Sequence, residues 1–89
     1  MGFNTEKNRI EYEEGGKMLA EILFPDSSDG VVDITRTFVD EVLRGQGMAG
    51  KLMQRAAEEI RATNRRAIPS CSYAVKWFGE HDEYKDILA

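Results

Sequence analysis

A chain of 89 residues with 42% apolar side chains is long enough for one compact core and too short for two, burying roughly 60–65% of its unfolded surface. Twelve Lys and Arg against 16 Asp and Glu, a formal charge of −4, argue against nucleic acid or anionic membrane as partners, because those are held by neutralising phosphates. A single cysteine, Cys71, and a single histidine, His81, exclude an intramolecular disulfide and supply too few ligands for a zinc site, so a reducing, cytoplasmic setting is expected, with no leader segment.

Arg9 to Glu14 sets Ile10 and Tyr12 on one side, Gly15-Gly16 is a two-residue hairpin signal, and Lys17 to Phe24 follows as a second strand. Pro25 to Gly30 gathers turn formers. Val31 to Val39 then reads as a third strand, with Val32, Ile34 and Phe38 alternating against Asp33 and Thr37. From about Gly47 to Asn64, Met48, Ala49, Leu52, Met53, Ala56, Ala57 and Ile60 recur at helical spacing. Lys51, Gln54, Arg55, Glu58, Glu59 and Arg61 fill the opposite face. Ala67 to Ser70 is a short strand, and Cys71 to Phe78 a short helix with Ala74, Val75 and Phe78 on its apolar face, closed by Gly79. His81 to Leu88 adds a final helical turn or two. The order β-β-β-α-β-α is expected to form one domain over residues 1–89.

Chemistry starts at Arg44-Gly45-Gln46-Gly47-Met48-Ala49-Gly50-Lys51-Leu52, a glycine turn between the third strand and the long helix. Amides at a helix start lack intrahelical acceptors and carry the positive end of the helix dipole, so a phosphate seats there if glycines let it approach. Three patterns overlap. Gly45, Gly47 and Gly50 spell a dinucleotide fingerprint, yet no parallel βαβ unit precedes it and no acidic residue follows at about 20 positions. Gly45 to Lys51 also fits the start of a P-loop, but Leu52 stands where Ser or Thr should hold Mg²⁺.

The third pattern is Arg-x-x-Gly-x-Ala, from Arg44 through Gly47 to Ala49, and here the sequence resembles the GNAT superfamily of N-acetyltransferases. The resemblance is closest to a short single-domain branch and rests on four landmarks in order: Thr37-Phe38-Val39, Arg44 to Ala49, Pro69-Ser70-Cys71 and His81-Asp82-Glu83-Tyr84. It covers about Ile10 to Leu88. It implies an α/β (α+β) fold with a mainly antiparallel sheet, one long helix after the pyrophosphate loop and a short C-terminal helix. It also implies acetyl-CoA as cofactor, held by Val39, Val42, Leu43, Arg44, Gly45, Gln46, Gly47, Met48, Ala49, Gly50 and Lys51. Its thioester would lie along Thr37 to Leu43, where a backbone amide faces the carbonyl.

Charge agrees with that placement. Residues 1–43 hold 4 basic and 10 acidic side chains, net −6; residues 44–66 hold 6 and 2, net +4; residues 67–89 hold 2 and 4, net −2. The basic segment is the glycine turn and its helix, with Arg44 and Lys51 the expected phosphate partners. Arg55, Arg61, Arg65 and Arg66 read as a solvated helix face.

Acetyl transfer to an amine needs a free nucleophile, donors for the oxyanion and a proton for the leaving thiolate. The tyrosine that many members of the superfamily place four residues after an alanine falls on Phe78, counted from Ala74. Tyr73 is nearby but out of register. The histidine often found before Thr-x-Val is replaced by Arg36. Cys71 is the remaining catalytic candidate: it follows Pro69 at a helix start, which favours a thiolate, and could carry the acetyl group transiently. The alternative is that Cys71 is a small buried apolar residue, and that the chain is a non-catalytic CoA-binding or interaction module. The amine acceptor is not encoded in any motif. His81 reads as a structural or surface residue, and Trp77, Phe78, Tyr84 and Ile87 as packing.

Overall fold

Ahead of the expected hairpin lies a strand that the sequence did not announce. The structure, a computed structural model describing residues 2–89, opens with β1 (Gly2–Glu6), paired antiparallel with β2 (Arg9–Glu14). β1 is a mostly exposed edge strand, anchored by Phe3, whose ring lies 5.0 Å from that of Tyr12. Asn8 fixes the intervening turn by donating from Nδ2 to the Phe24 carbonyl at 2.9 Å. The Gly15-Gly16 hairpin forms as read: both residues are left-handed, with φ of 58° and 78°, which matches the twist of a two-residue loop. It leads into β3 (Lys17–Leu23), with Glu14 opposite Lys17.

The expected third strand is two strands in two sheets. β4 (Asp26–Ser28), inside the turn cluster, pairs antiparallel with β5 (Val31–Ile34), whereas β6 (Arg36–Val39) pairs antiparallel with β3. β7 (Arg66–Pro69) runs parallel to β5, from Val31 opposite Arg66 to Ile34 opposite Pro69. The sheets are therefore β1-β2-β3-β6 and β4-β5-β7. The divergence has local causes. Pro25 has no N–H to extend the β3 ladder, and the amides of Ser70 and Cys71 both converge on the Ile34 carbonyl, at 3.1 and 3.0 Å, where the β5–β7 ladder stops. Beyond Ile34, β6 keeps β3 on one side and has no strand on the other.

Thr35 also shifts the alternation. Thr37 lies opposite Ile22 and Val39 opposite Ala20, both fully buried, so Thr37 and Val39 turn to the covered face. Phe38, opposite Glu21, turns to the other, which corrects its expected alignment with Val32 and Ile34. The Asp40 amide donates to the Leu19 carbonyl at 2.7 Å. By antiparallel alternation Phe38 then bonds Glu21, leaving the amides of Thr37 and Val39 pointing out of the open edge.

Helix α1 (Met48–Ala62) packs Met48, Leu52, Met53, Ala56, Ala57 and Ile60 onto the covered face of the first sheet, as its periodicity dictates. It ends at Thr63, whose hydroxyl donates to the Glu59 carbonyl at 2.8 Å, and at left-handed Asn64. Helix α2 (Ser72–Glu80) runs through Gly79 rather than stopping there. Its buried residues are Ala74, Trp77 and Phe78, while Val75 is 56% exposed. The helix begins one residue later than expected, with Cys71 as its cap, and Trp77 rather than Val75 joins Ala74 and Phe78 on the inner face. The tail is a 3-10 segment, Asp82–Ile87, that buries Tyr84 and Ile87. Arg61 ties it down through Asp86 and through the Glu83 carbonyl at 2.8 Å, and the bonded guanidinium holds the Asp86 carboxyl below the usual carboxylate range. Among the described residues no helix is long and apolar enough to cross a membrane.

Candidate functional site

The open edge of β6, the glycine turn and α2 enclose a cleft of about 190 Å³. It is lined by Val39, Leu43, Arg44, Gly45, Gly47 to Gly50 and Tyr73. Asp40 shapes the entry to the turn. Its carboxylate accepts from the Val42 amide at 3.1 Å and caps a 3-10 turn, Glu41–Leu43, which buries Leu43 and leaves Val42 64% exposed. Gln46 points back along the turn, donating from Nε2 to the Val42 carbonyl at 3.4 Å. Of the residues expected around the cofactor, Val42, Gln46 and Lys51 do not line this cleft; Lys51 faces a neighbouring groove of about 470 Å³ shared with Gly47, Gly50 and Tyr73.

The turn owes its shape to Gly45 and Gly47, with φ of 83° and 73°. A Cβ on either would meet no atom within 4 Å, so glycine is required there by backbone conformation and not by crowding inside the protein. The same glycines leave the start of α1 uncapped. Most helices supply a Ser, Thr or Asp cap and acidic residues in the first turn; here Gly47 has no side chain to offer and the first turn holds no acid. No amide from Gly45 to Gly50 makes a well-formed hydrogen bond to the backbone of another described residue. Arg44 and Lys51 form no ion pair among the described residues, whereas Arg61 is committed to Asp86. Arg65 donates to the Lys7 carbonyl at 2.8 Å, Arg66 to the Leu88 carbonyl at 3.4 Å, and Arg55 sits 3.9 Å over the Phe3 ring. The positive segment thus has its free charge next to the turn.

Gly50, the third glycine, is different. It has ordinary helical geometry, and a Cβ there would lie 3.6 Å from the Tyr73 hydroxyl, an ordinary contact. It therefore lacks the close-packing role of a dinucleotide fingerprint. Leu52 is fully buried, which removes the metal-ligand position of a P-loop. Because Gly50 lies in the first turn of a helix without positive φ, Gly50→Ala should raise stability by about 0.5 kcal/mol. Urea denaturation at unchanged slope reads this directly, and a loss above about 1 kcal/mol would show that the contact with Tyr73 is tighter than the geometry implies.

Cys71 sits at the other end of the open edge. Its sulfur accepts from the Ala74 amide at 3.4 Å, capping α2, and lies 3.7 Å from the Thr37 hydroxyl. His81 is at the far end of the same nine-residue helix, roughly 15 Å away at 1.5 Å per residue. It stacks on Trp77 at 4.1 Å and bonds the Trp77 carbonyl through Nδ1 at 2.7 Å, a structural placement that separates it from Cys71. Arg36 pairs with Glu21 at 3.5 Å on the uncovered face, and Phe78 is buried in the core. The residue that sequence reasoning set aside is Tyr73. Its register signal was wrong for the expected acid, yet its hydroxyl borders the turn. No periodicity reports that contact, which depends on how α1 and α2 cross.

Comparison with known proteins agrees with this geometry. A family profile described as GCN5-related N-acetyl-transferase matches residues 9–87. The solution structure of a GCN5-like protein from Staphylococcus aureus superposes with a TM-score of 0.79 at 28% identity, covering 98% of this chain and 86% of that one. An N-acetyltransferase from Staphylococcus aureus gives 0.62 at 24% identity, covering 83% of this chain and 50% of that one. An IAA acetyltransferase from Bacillus cereus gives 0.61 at 17%, covering 81% and 51%. The chain thus spans about half the length of the last two, whose likeness speaks for the fold alone. No curated protein matches it.

Proposed function

Since the chain belongs to the family of GCN5-related N-acetyltransferases, we propose that it binds acetyl-CoA on the Arg44–Gly50 turn and transfers the acetyl group to an amine. The observation that carries this reading is the uncapped start of α1: a left-handed glycine cap, no acid in the first turn and, among the described residues, no well-formed backbone acceptor for the amides of Gly45 to Gly50. A pyrophosphate supplies the acceptors and the negative charge that the sequence withholds. Arg44 and Lys51 add two cations at the margin, and the CoA arm then runs along the open edge of β6.

There the amides of Thr37 and Val39 face outward without a strand to receive them. One of them, Thr37 by its position beside Cys71, donates to the thioester carbonyl oxygen and stabilises the oxyanion formed when the nucleophile adds. Residues 1–89 act as a single acetyltransferase-type domain in this reading.

A specific contact favours a route through Cys71. Its sulfur is beside Thr37 on the open edge, where the thioester is read to lie. The Cys71 thiolate attacks the acetyl carbonyl and CoA leaves as a thiolate that takes up a proton; a free amine then displaces the Cys71 sulfur to give the amide. Calorimetry with acetyl-CoA tests the binding step: saturable heat is expected, and none at about 1 mM ligand would end the proposal. For the transfer step, mass spectrometry after mixing should find an adduct of about 42 Da, one acetyl group, on wild type and not on Cys71→Ala. Equal labelling of the two removes Cys71 and leaves direct attack by the amine.

A further inference from the structure

Tyr12 and Tyr84 spend their hydroxyls on Glu14 and Glu58. The Tyr73 hydroxyl has no hydrogen-bond partner among the described residues, although its ring packs against the core. It borders both the cleft over the glycine turn and the adjoining groove, and it lies 3.6 Å from where a Cβ of Gly50 would be. Gly50 is the third residue of α1, so the hydroxyl reaches the first turn of that helix, whose amides lack acceptors. The cleft is lined by the turn and by Tyr73, and neither Thr37 nor Cys71 borders it. The hydroxyl is at the turn.

Resting on the reading of that turn as a pyrophosphate site, we propose that Tyr73 is a further ligand of the pyrophosphate, donating its O–H to a phosphoryl oxygen held on the first turn of α1. Tyrosine suits the task because it delivers a donor on a rigid ring with little entropy to lose. Burial, and to a lesser extent Glu80, pushes its phenol above the ordinary value, so the group keeps its proton at neutral pH. This assigns Tyr73 to anion binding and away from proton delivery to the leaving thiolate.

Because the hydroxyl bonds to nothing among the described residues, Tyr73→Phe is expected to fold with an unchanged denaturation midpoint, which is checked first. Calorimetry should then show the affinity for CoA falling about tenfold or more, from the low end of what a hydrogen bond to a charged group contributes. ADP, which keeps the pyrophosphate and lacks the pantetheine arm, should lose affinity by a similar factor in an NMR titration. Affinity of Tyr73→Phe for CoA within twofold of wild type overturns the proposal while the CoA reading stands. A loss for CoA with none for ADP also overturns it, moving the hydroxyl to the pantetheine arm. Wild type that binds neither ligand overturns both readings.

Discussion

Gly47→Val is expected to raise the Kd for acetyl-CoA at least 100-fold, a loss of about 2.7 kcal/mol, while leaving the chain folded. Gly47 caps α1 at φ 73°, a conformation that costs an L-residue roughly 1–2 kcal/mol and a β-branched one more. The protein itself offers room, since a Cβ there meets nothing within 4 Å. In the proposed complex that space takes the phosphoryl oxygens that approach the amides, so the added methyl groups occupy the anion's place. If the backbone relaxes to relieve the strain, the amides of Met48, Ala49 and Gly50 turn away from a common centre and the site is lost by a second route. Gly47→Ala, with strain and little bulk, should fall between, near tenfold. Circular dichroism establishes folding and calorimetry gives the affinities; a Gly47→Val protein that binds within threefold of wild type would remove the turn from the cofactor site.

The parts of the fold that were legible in sequence are those fixed by nearby residues. Gly15-Gly16 carries its own stereochemistry, and α1 carries its own periodicity, so both stand as read. β1 was invisible because its identity comes from β2: Asn4, Thr5 and Glu6 are ordinary polar residues until Tyr12 and Ile10 stand opposite their strand. The break at Thr35 was invisible for a related reason. Val31 to Val39 looks continuous locally, but its first half is claimed by β7, some 35 positions later, and its second by β3. That break creates the open edge on which the site depends. Reading the strand as unbroken therefore hid the cleft while still finding the turn that lines it.

Charge followed the same pattern. The net +4 of residues 44–66 pointed to the glycine turn as the candidate site, and the structure divides those cations by geometry. Arg61 closes the C-terminal tail, Arg65 and Arg66 meet backbone carbonyls, and Arg55 covers Phe3. Arg44 and Lys51 are left, the two flanking the glycines. A sequence count cannot make this division because the partners, Lys7, Asp86 and Leu88, are distant in the chain.

Leu52→Thr is expected to destabilise the protein by about 2–4 kcal/mol and to confer no nucleotide binding. The substitution completes G-x-x-x-x-G-K-T over Gly45 to residue 52, so it separates motif from structure. In a P-loop that hydroxyl must reach a metal beside the phosphates. Here the Leu52 side chain is fully buried on the face that α1 presses against the sheet, turned away from the amides of the glycine turn. Thr at this position leaves part of the leucine volume empty and places a hydroxyl in an apolar core, where it can only bond back to its own helix. Against a total stability of about 5–15 kcal/mol for a folded domain, that loss is a large fraction and is read from the denaturation midpoint. Mg²⁺-dependent ATP or GTP binding by Leu52→Thr, with stability unchanged, would put the residue beside the phosphates and contradict the packing of α1. The expected pairing is the reverse: a weakened fold, no nucleotide site, and a CoA affinity within a few-fold of wild type in the fraction that remains folded, because the amides and glycines that hold the anion are untouched.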